Sequence, residues 1–312
     1  MKRALLDFLV CPSCVPREFY LRVRIAEEVR EDIREGHLTC EHCGKAYPIR
    51  DGIAFLEPPD PGQTKPENRY ETGPVLSSYL WSHYGDLLQD PEASDAYTQW
   101  ADLMKASPGI CLDIGCAVGR FTFEMSRKSD FVVGLDNSVS FIRAARELML
   151  NRRTKVALRE EGLLAREVIL RLPDGWDRAK VEFVVGDALA LPFVSNGFSS
   201  VASLNLVDKV ALPLKHLLEM NRVAKDSGTQ FLLSDPFSWS TEAAREENWL
   251  GGKASGPYSG RGLDNITALL IGEKGELGPE WRIETKGDVQ WKIRTHANHF
   301  ELIRSHFVKA AR

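Results

Sequence analysis

The chain has 312 residues, of which 43% are hydrophobic and 27% are charged. This length and composition predict about two folded domains and exclude a disordered chain. The formal net charge of −4 argues against a dedicated nucleic-acid binder, and no apolar run reaches the roughly 18 residues of a membrane span. Asp7 interrupts the apolar run after the basic N-terminus, so we expect no signal peptide and a cytoplasmic protein.

Two cysteine pairs mark the N-terminal region. Cys11 and Cys14 form one C-x2-C pair, and Cys40 and Cys43 form a second. In a reducing compartment, two such pairs predict a four-thiolate zinc site rather than disulfides. Because cysteine fills all four ligand positions, no open position is left for water and the zinc is expected to be structural. A redox-active pair and a ribbon without its metal are the alternatives.

A strand-like run near residue 20 and a strand, Asp-Gly turn and strand over residues 47–56 complete a predicted zinc-ribbon domain at residues 1–57. The Pro-rich residues 58–68 are predicted to be a linker. Residues 5–12 and 47–53 resemble the small zinc-ribbon proteins that activate methyltransferases as separate partner subunits.

Strand-like and helix-like segments alternate in the rest of the chain, which predicts an α/β fold with a parallel, Rossmann-like sheet. We expect a helical cap at residues 69–106 and the catalytic domain at residues 107–312. The charged residues 151–180 are predicted to be a solvated helical insertion. The predicted strands are residues 110–114, 131–135, 181–185, 199–206 and 230–234, and the predicted helices are residues 138–150 and 212–223.

Acidic residues follow three successive predicted strands. Asp113 lies at the first strand and precedes a glycine-containing loop that opens a helix. Asp136 follows the second strand, where a carboxylate can accept hydrogen bonds from ribose hydroxyls. Asp187 follows the third strand, where its carboxylate can bind the amino group of an adenine while the Ala188 amide binds a ring nitrogen. Together these residues predict a nucleoside-binding crevice.

The charge of this crevice distinguishes two cofactors. Asp113 would repel the pyrophosphate of a dinucleotide, whereas the sulfonium and ammonium groups of S-adenosylmethionine favour nearby carboxylates. The same order of motifs resembles the class I methyltransferase family, which implies a mostly parallel sheet with an antiparallel last strand. The cofactor-binding residues predicted in this way are Asp113, Gly115, Cys116, Ala117, Gly119, Asp136, Asn137, Asp187, Ala188 and Asn205.

A closer resemblance is carried by residues 70–72, 79–85, 116–120, 205–209, 235–239 and 247–252. On these segments, residues 68–312 resemble the C-terminal methyltransferase domain of the ovothiol-synthesis enzyme, which N-methylates the imidazole of a mercaptohistidine. The resemblance implies a small-molecule acceptor with an imidazole, thiol or amine. Two features depart from that family: the iron-dependent sulfoxide synthase portion is absent, and Thr295 stands where an acid is expected.

Methyl transfer requires an aligned and unprotonated acceptor. We therefore predict that Tyr84 and His83 orient the acceptor, that Asp208 accepts a hydrogen bond from it, and that Asn205 lies beside it. Trp249 is predicted to form an apolar wall. Tyr70, Arg294 and His296 are the other predicted acceptor contacts. Each has a structural alternative: a core tryptophan, a helix-capping aspartate or a buried histidine satisfied within the cap.

Two other functions compete with this interpretation. The acceptor could be RNA, since zinc ribbons also precede the methyltransferase domains of rRNA-modifying enzymes, although the net charge and the absence of a basic cluster with aromatic residues argue against it. The chain could also be an adaptor whose ribbon recruits a partner, and such an adaptor would not bind S-adenosylmethionine. Acids after all three strands favour the enzyme.

Overall fold

The computed structural model of the chain describes residues 1–58 and 68–312. Most of the predicted linker, residues 59–67, lies outside the described residues. The N-terminal region contributes four strands, β1 (Leu21–Val29), β2 (Asp32–Cys40), β3 (Ala46–Arg50) and β4 (Ile53–Leu56). The segment predicted to be a helical cap contains helices α1 (Gly73–Tyr84) and α2 (Ala96–Leu103).

Strands and helices alternate through the remainder, as the sequence predicts. These elements are β5 (Ile110–Ile114), α3 (Arg120–Met125), β6 (Phe131–Asp136), α4 (Val139–Asn151), β7 (Arg153–Glu161), β8 (Leu164–Arg171), β9 (Val181–Gly186), β10 (Ser200–Leu204), α5 (Pro213–Val223), β11 (Gln230–Asp235), α6 (Gly262–Leu270), β12 (Arg282–His296) and β13 (His299–Ala311). None of the helices in the described part of the chain is long and apolar enough to cross a bilayer.

Eleven strands form one sheet in the order β1-β2-β3-β4-β9-β6-β5-β10-β11-β13-β12. The strands from β4 to β11 in this order pair in parallel, and β13 lies antiparallel to β11. This arrangement confirms the predicted Rossmann-like methyltransferase sheet with an antiparallel last strand. The carboxyl ends of β9, β6, β5 and β10 meet along one edge, where ligands of such sheets bind.

The N-terminal strands are part of the same sheet as the catalytic strands. β4 pairs in parallel with β9, with Phe55 opposite Val185 and Leu56 opposite Gly186. A second connection forms near Pro192, whose carbonyl accepts a 2.9 Å hydrogen bond from the Val10 amide. The ribbon therefore holds the chain on both sides of Asp187.

A buried ion cluster supports this junction. Arg146 of α4 donates to Glu182 of β9 and to Asp32 of β2. Arg146 is 2% exposed and Glu182 is fully buried, so both charges depend on each other for compensation. Burial favours a neutral Asp32, but its hydrogen bond to the N-terminal ammonium and the charge of Arg146 lower its pKa to about 2.

The prediction of a helical insertion at residues 151–180 is wrong. Most of this segment is an antiparallel hairpin of β7 and β8 that turns at Gly162, where φ is +53°. In β7, Thr154, Val156 and Leu158 are buried and their immediate neighbours on either side are more exposed. This alternation has the period of a strand, and the charges that suggested a helix lie on its solvent face.

Candidate active site at the carboxyl ends of the strands

A cavity of about 440 Å³ lies at the carboxyl ends of β5, β6, β9 and β10. Seven of the predicted cofactor-binding residues line it together, namely Gly115, Ala117, Asp136, Asn137, Asp187, Ala188 and Asn205. The other three, Asp113, Cys116 and Gly119, are buried behind the lining. The structure thus brings the acidic strand ends to one crevice.

The loop between β5 and α3 has an unusual backbone. Gly115, Ala117 and Gly119 all have positive φ, of +75°, +46° and +85°. A Cβ on Gly119 would lie 2.7 Å from the ring of Phe183, so only glycine fits there. Ala117 carries backbone strain that the loop must hold in place. Its amide donates a 2.9 Å hydrogen bond to Asp136, which provides that restraint.

Two carboxylates lie beside this loop, the buried Asp113 and the partly buried Asp136, and neither forms an ion pair with a described residue. Asp136 accepts hydrogen bonds of 2.9 Å from the amides of Ala117 and Ser138, yet burial raises its pKa to about 6. Asp113 accepts a 2.6 Å hydrogen bond from the Thr122 hydroxyl, and burial raises its pKa to about 7. A positively charged ligand would stabilise the ionised form of both groups.

Asp187 lies directly after β9, next to the strand pair that joins the ribbon to the sheet. Its Oδ1 atom accepts a 2.8 Å hydrogen bond from the Leu189 amide, which fixes the turn that presents Ala188. Asp187 and Asp136 line the same cavity from neighbouring strands. Their order along the sheet suits an adenine at Asp187 and a ribose at Asp136.

Aromatic side chains of the cap cover the other side of the cavity. Tyr70, Tyr79, His83 and Tyr97 all line it. His83 is 3% exposed, and its Nε2 atom lies 2.6 Å from the Tyr97 hydroxyl, while Nδ1 has no hydrogen-bond partner among the described residues. Burial and the charge of Arg120 hold the pKa of His83 well below its usual range, so the imidazole is neutral.

The hairpin of β12 and β13 closes the cavity from the last strands of the sheet. Trp291 and Ile293 of β12 and Glu301 and Ile303 of β13 line it. Sequence reasoning missed these four residues, although their spacing of two is the signal of side chains on one strand face. Thr295 is not among the lining residues, whereas the Glu301 carboxylate is.

The structure does not support the roles predicted for Tyr84 and Asp208. The Tyr84 hydroxyl is fully buried and donates to the Val118 carbonyl at 2.7 Å, so it supports the cofactor loop from behind. Asp208 accepts from the Ser238 amide at 2.7 Å and from the Lys209 ammonium at 3.0 Å. Neither residue lines the cavity, but Lys209 does.

Three predicted acceptor contacts also lie outside the cavity lining. Trp249 donates to the Ala244 carbonyl at 3.0 Å and stacks on another tryptophan. Arg294 is 5% exposed and binds Glu160 at 2.9 Å, which ties β12 to the β7–β8 hairpin. His296 lies at the turn between β12 and β13. Trp249 and Arg294 thus have hydrogen-bond partners within the chain, and of the four predicted acceptor contacts Tyr70 alone lines the cavity.

The four cysteines of the N-terminal region converge on one point. Their sulfur atoms all lie within 4.8 Å of one another, with 3.6 Å between Cys11 and Cys43 and 4.0 Å between Cys14 and Cys40. A tetrahedral zinc site with Zn–S bonds of about 2.3 Å has sulfurs about 3.8 Å apart. The cluster fits such an ion, and none of the six cysteines forms a disulfide.

Comparison with known families assigns both regions. Residues 2–52 match the family model of Trm112p-like proteins, and residues 112–232 match a methyltransferase domain model. The predicted class, an S-adenosylmethionine-dependent methyltransferase, is confirmed at the level of this domain. The resemblance to methyltransferase activators is likewise confirmed, whereas these matches do not show the resemblance to the ovothiol enzyme.

Individual relatives are distant. The chain is 24% identical over 162 residues to ajmaline N-methyltransferase of Rauvolfia serpentina, a match that covers 52% of this chain and 48% of that enzyme. The chain thus spans about half the length of this curated relative. A Haloferax volcanii complex of the Trm112 methyltransferase activator with a methyltransferase matches with 14% identity, 75% and 96% coverage and a TM-score of 0.44. The YcgJ protein of Bacillus subtilis matches with 15% identity, 70% and 98% coverage and a TM-score of 0.45.

Proposed function

We propose that this chain, in which a Trm112p-like region precedes a methyltransferase domain, transfers the methyl group of S-adenosylmethionine to a nitrogen atom of a small molecule. One observation carries the proposal: the cavity combines the Asp136 and Asp187 carboxylates on its strand side with the tyrosine rings and the neutral His83 on its cap side. The first side suits a cationic nucleoside cofactor, and the second suits an uncharged ring.

The cofactor supplies a methyl carbon that its sulfonium already activates. Asp136 would hold the ribose hydroxyls, Asp187 the adenine amino group, and the Ala188 amide a ring nitrogen. Asp113 is buried beneath the loop and is not part of the lining. Its carboxylate, when ionised, would contribute negative charge there. These residues bind and orient, and the neutral cap keeps water from the reacting atoms.

The acceptor is proposed to be an imidazole or a related small nitrogen compound. The cap and the β12–β13 hairpin both cover the strand ends, which leaves room for a small ring beside the cofactor. The neutral His83 and the hydroxyls of Tyr70 and Tyr97 can orient such a ring by hydrogen bonds. The likeness to a relative named as an N-methyltransferase supports nitrogen as the acceptor atom.

The experiment that tests this function is direct. The protein is incubated with methyl-labelled S-adenosylmethionine and a fractionated metabolite extract, and a mercaptohistidine is the first pure compound assayed. We expect label in a small molecule, unchanged after nuclease treatment. Loss of the labelled product on nuclease treatment would favour RNA, the second candidate, which the Trm112p-like region supports. Absence of cofactor binding would favour the adaptor.

We also propose that the four thiolates hold one structural zinc ion, in a reducing compartment such as the cytoplasm. Replacing Cys40 with Ser should lower zinc content well below one ion per chain, as measured by atomic emission, because three thiolates leave the tetrahedral site incomplete. Cys111→Ser is the matched control, since Cys111 lies in β5 outside the cluster. Equal zinc in both variants would contradict the assignment.

A further inference from the structure

One cation in the lining of the cofactor cavity is held in place by a buried acid. Lys209 follows β10, and its ammonium donates a 3.0 Å hydrogen bond to the Asp208 carboxylate. The Asp208 side chain is fully buried, whereas 31% of the Lys209 side chain is exposed. An ammonium has three N–H donors, and Asp208 is its one hydrogen-bond partner among the described residues. Lys209 is therefore positioned by the fold and still has donors for a ligand.

Asp235 is a second buried acid beside this pair. Burial and the charge of Asp208 raise the pKa of Asp235 well above its usual range, so this carboxyl is neutral. It supports the turn after β11 by accepting a 2.7 Å hydrogen bond from the Phe237 amide. Of these two acids, Asp208 alone opposes the charge of Lys209, and a ligand anion is not repelled by Asp235.

The side-chain amide of Asn205 presents a second donor. Asn205 lines the cavity directly after β10, and its Oδ1 atom accepts a hydrogen bond from the Ser305 hydroxyl. The Trp291 indole, which can only donate, donates to the same hydroxyl at 3.1 Å. The single proton of this fully buried hydroxyl is therefore left for Oδ1, which sets the orientation of the amide. The Nδ2 atom has no hydrogen-bond partner among the described residues, so its N–H groups are available to a ligand.

Both donors lie beyond the proposed ribose site along the sheet edge. The carboxyl ends of β9, β6, β5, β10 and β11 follow one another in this order. With the adenine at Asp187 and the ribose at Asp136, the cofactor extends from β9 towards β5. The space next to the ends of β10 and β11, which Asn205, Lys209 and Ser238 line, is then left for the methyl acceptor.

We infer that the methyl acceptor carries a carboxylate, which binds the Lys209 ammonium and the Asn205 amide N–H while the reacting nitrogen faces the cofactor. This inference rests on the proposed function and narrows its acceptors to carboxylate-bearing ones. A bond from an ammonium to a carboxylate is charge-assisted, and the second donor adds direction. An acceptor without the acid leaves both donors without a partner. Asp208 and Ser305 are positioning residues, since they act through Lys209 and Asn205.

Calorimetry with two matched probes tests the inference without any turnover. L-Histidine carries an imidazole and a carboxylate, and L-histidinamide carries a neutral amide in place of the acid; each is titrated into protein saturated with S-adenosylhomocysteine. We expect histidine to bind about tenfold more tightly, since one charge-assisted hydrogen bond accounts for that ratio. Lys209→Met should remove most of this preference, and Lys209→Arg should retain part of it. Ser305→Ala, which frees the Asn205 amide to rotate, should reduce it by a smaller factor.

Lys215→Met is the matched control, because Lys215 is exposed on α5 and is not part of the lining, so both affinities should be unchanged. Asp208→Asn combined with Lys209→Met removes the ion pair without leaving a buried charge, and it should reproduce the loss of preference if Lys209→Met does not fold. Equal binding of the two probes, binding of neither, or full retention of the preference without Lys209 would overturn the inference.

The cofactor also has a carboxylate, so binding of S-adenosylhomocysteine is measured separately in the same variants. We expect its affinity to be unchanged. A loss of about tenfold in Lys209→Met would mean that these donors bind the cofactor's carboxylate, and the inference would be wrong. Failure of the unaltered protein to bind S-adenosylhomocysteine would instead contradict the proposed function.

Discussion

The junction between ribbon and sheet and the cofactor cavity both contain buried acids, at opposite ends of the strands. At the junction, burial of Glu182 is opposed by Arg146, and the pKa of this carboxyl lies below its usual value. At the cavity, burial raises the pKa of Asp136 and Asp113, and no described cation forms an ion pair with either. We interpret the acids paired with Arg146 as holding the fold, and Asp136 and Asp113 as positions for the proposed cofactor.

Arg146→Ala should produce the largest effect on the junction. It leaves Glu182 charged, fully buried and without its guanidinium, which costs about 3–5 kcal/mol of the free energy of unfolding. Urea denaturation measures the loss. Lys155→Ala is the control, since its ion pair with Glu167 is more than half exposed and should contribute less than about 1 kcal/mol. Similar losses of stability in both variants would contradict the claim that the buried Arg146–Glu182 pair stabilises the junction.

Asp136→Ala should have the opposite effect to Arg146→Ala: it should change cofactor affinity more than the free energy of unfolding. We expect S-adenosylmethionine binding to weaken by about 1–3 kcal/mol in calorimetry, because the ribose hydroxyls lose their carboxylate acceptor. Asp130→Ala is the control: its carboxylate accepts a 2.7 Å hydrogen bond from the Gly109 amide, just before β5 begins and away from the cavity. An unchanged affinity of the Asp136 variant would refute the assignment.

The pH dependence of cofactor binding sharpens the same distinction. The pKa of Asp136 is raised to about 6, so this group is ionised at pH 8 and largely protonated at pH 5. A cationic cofactor prefers the ionised form, so its affinity should fall by about tenfold as the pH drops through this interval. Asp136→Asn should flatten that part of the profile. A profile that is equally steep in this variant would assign the effect to another group.

Much of the fold follows from the sequence because apolar periodicity is local. Successive buried strands, each with an acid at its carboxyl end, predict the sheet and the edge where a ligand binds. The structure places Asp113, Asp136 and Asp187 at that edge. The β7–β8 hairpin was mispredicted because charged side chains on its solvent face obscured the alternation of Thr154 and Val156. Burial of the alternate residues is visible only once α1 and α4 pack nearby.

The acceptor side was less predictable, since its residues come from distant segments. Tyr97 lies on α2 and Glu301 lies on β13, and only the fold brings them to one cavity. Tyr84 and Asp208 have suitable chemistry and suitable positions in the sequence, but each already has a partner in the chain. Sequence motifs identify the residue types of a site, whereas hydrogen-bond partners decide which of them are available.

Tyr84→Phe should give the smallest effect and tests whether an internally satisfied residue is purely structural. The variant loses a buried 2.7 Å hydrogen bond to the Val118 carbonyl, next to the cofactor loop. We expect the free energy of unfolding to fall by about 0.5–1.5 kcal/mol, with little change in turnover, because the hydroxyl does not reach the cavity. Thermal denaturation and the labelled-methyl assay measure the two quantities.

Tyr79→Phe is the informative partner of that variant, because its ring lines the cavity while Tyr84 supports the loop from behind. If the comparison is correct, the Tyr84 variant loses stability in proportion to one hydrogen bond and retains its kcat. A hundredfold loss of kcat at unchanged stability would mean that the Tyr84 hydroxyl leaves Val118 and joins the reaction. The rule that an internal partner excludes a functional role would then fail in this protein.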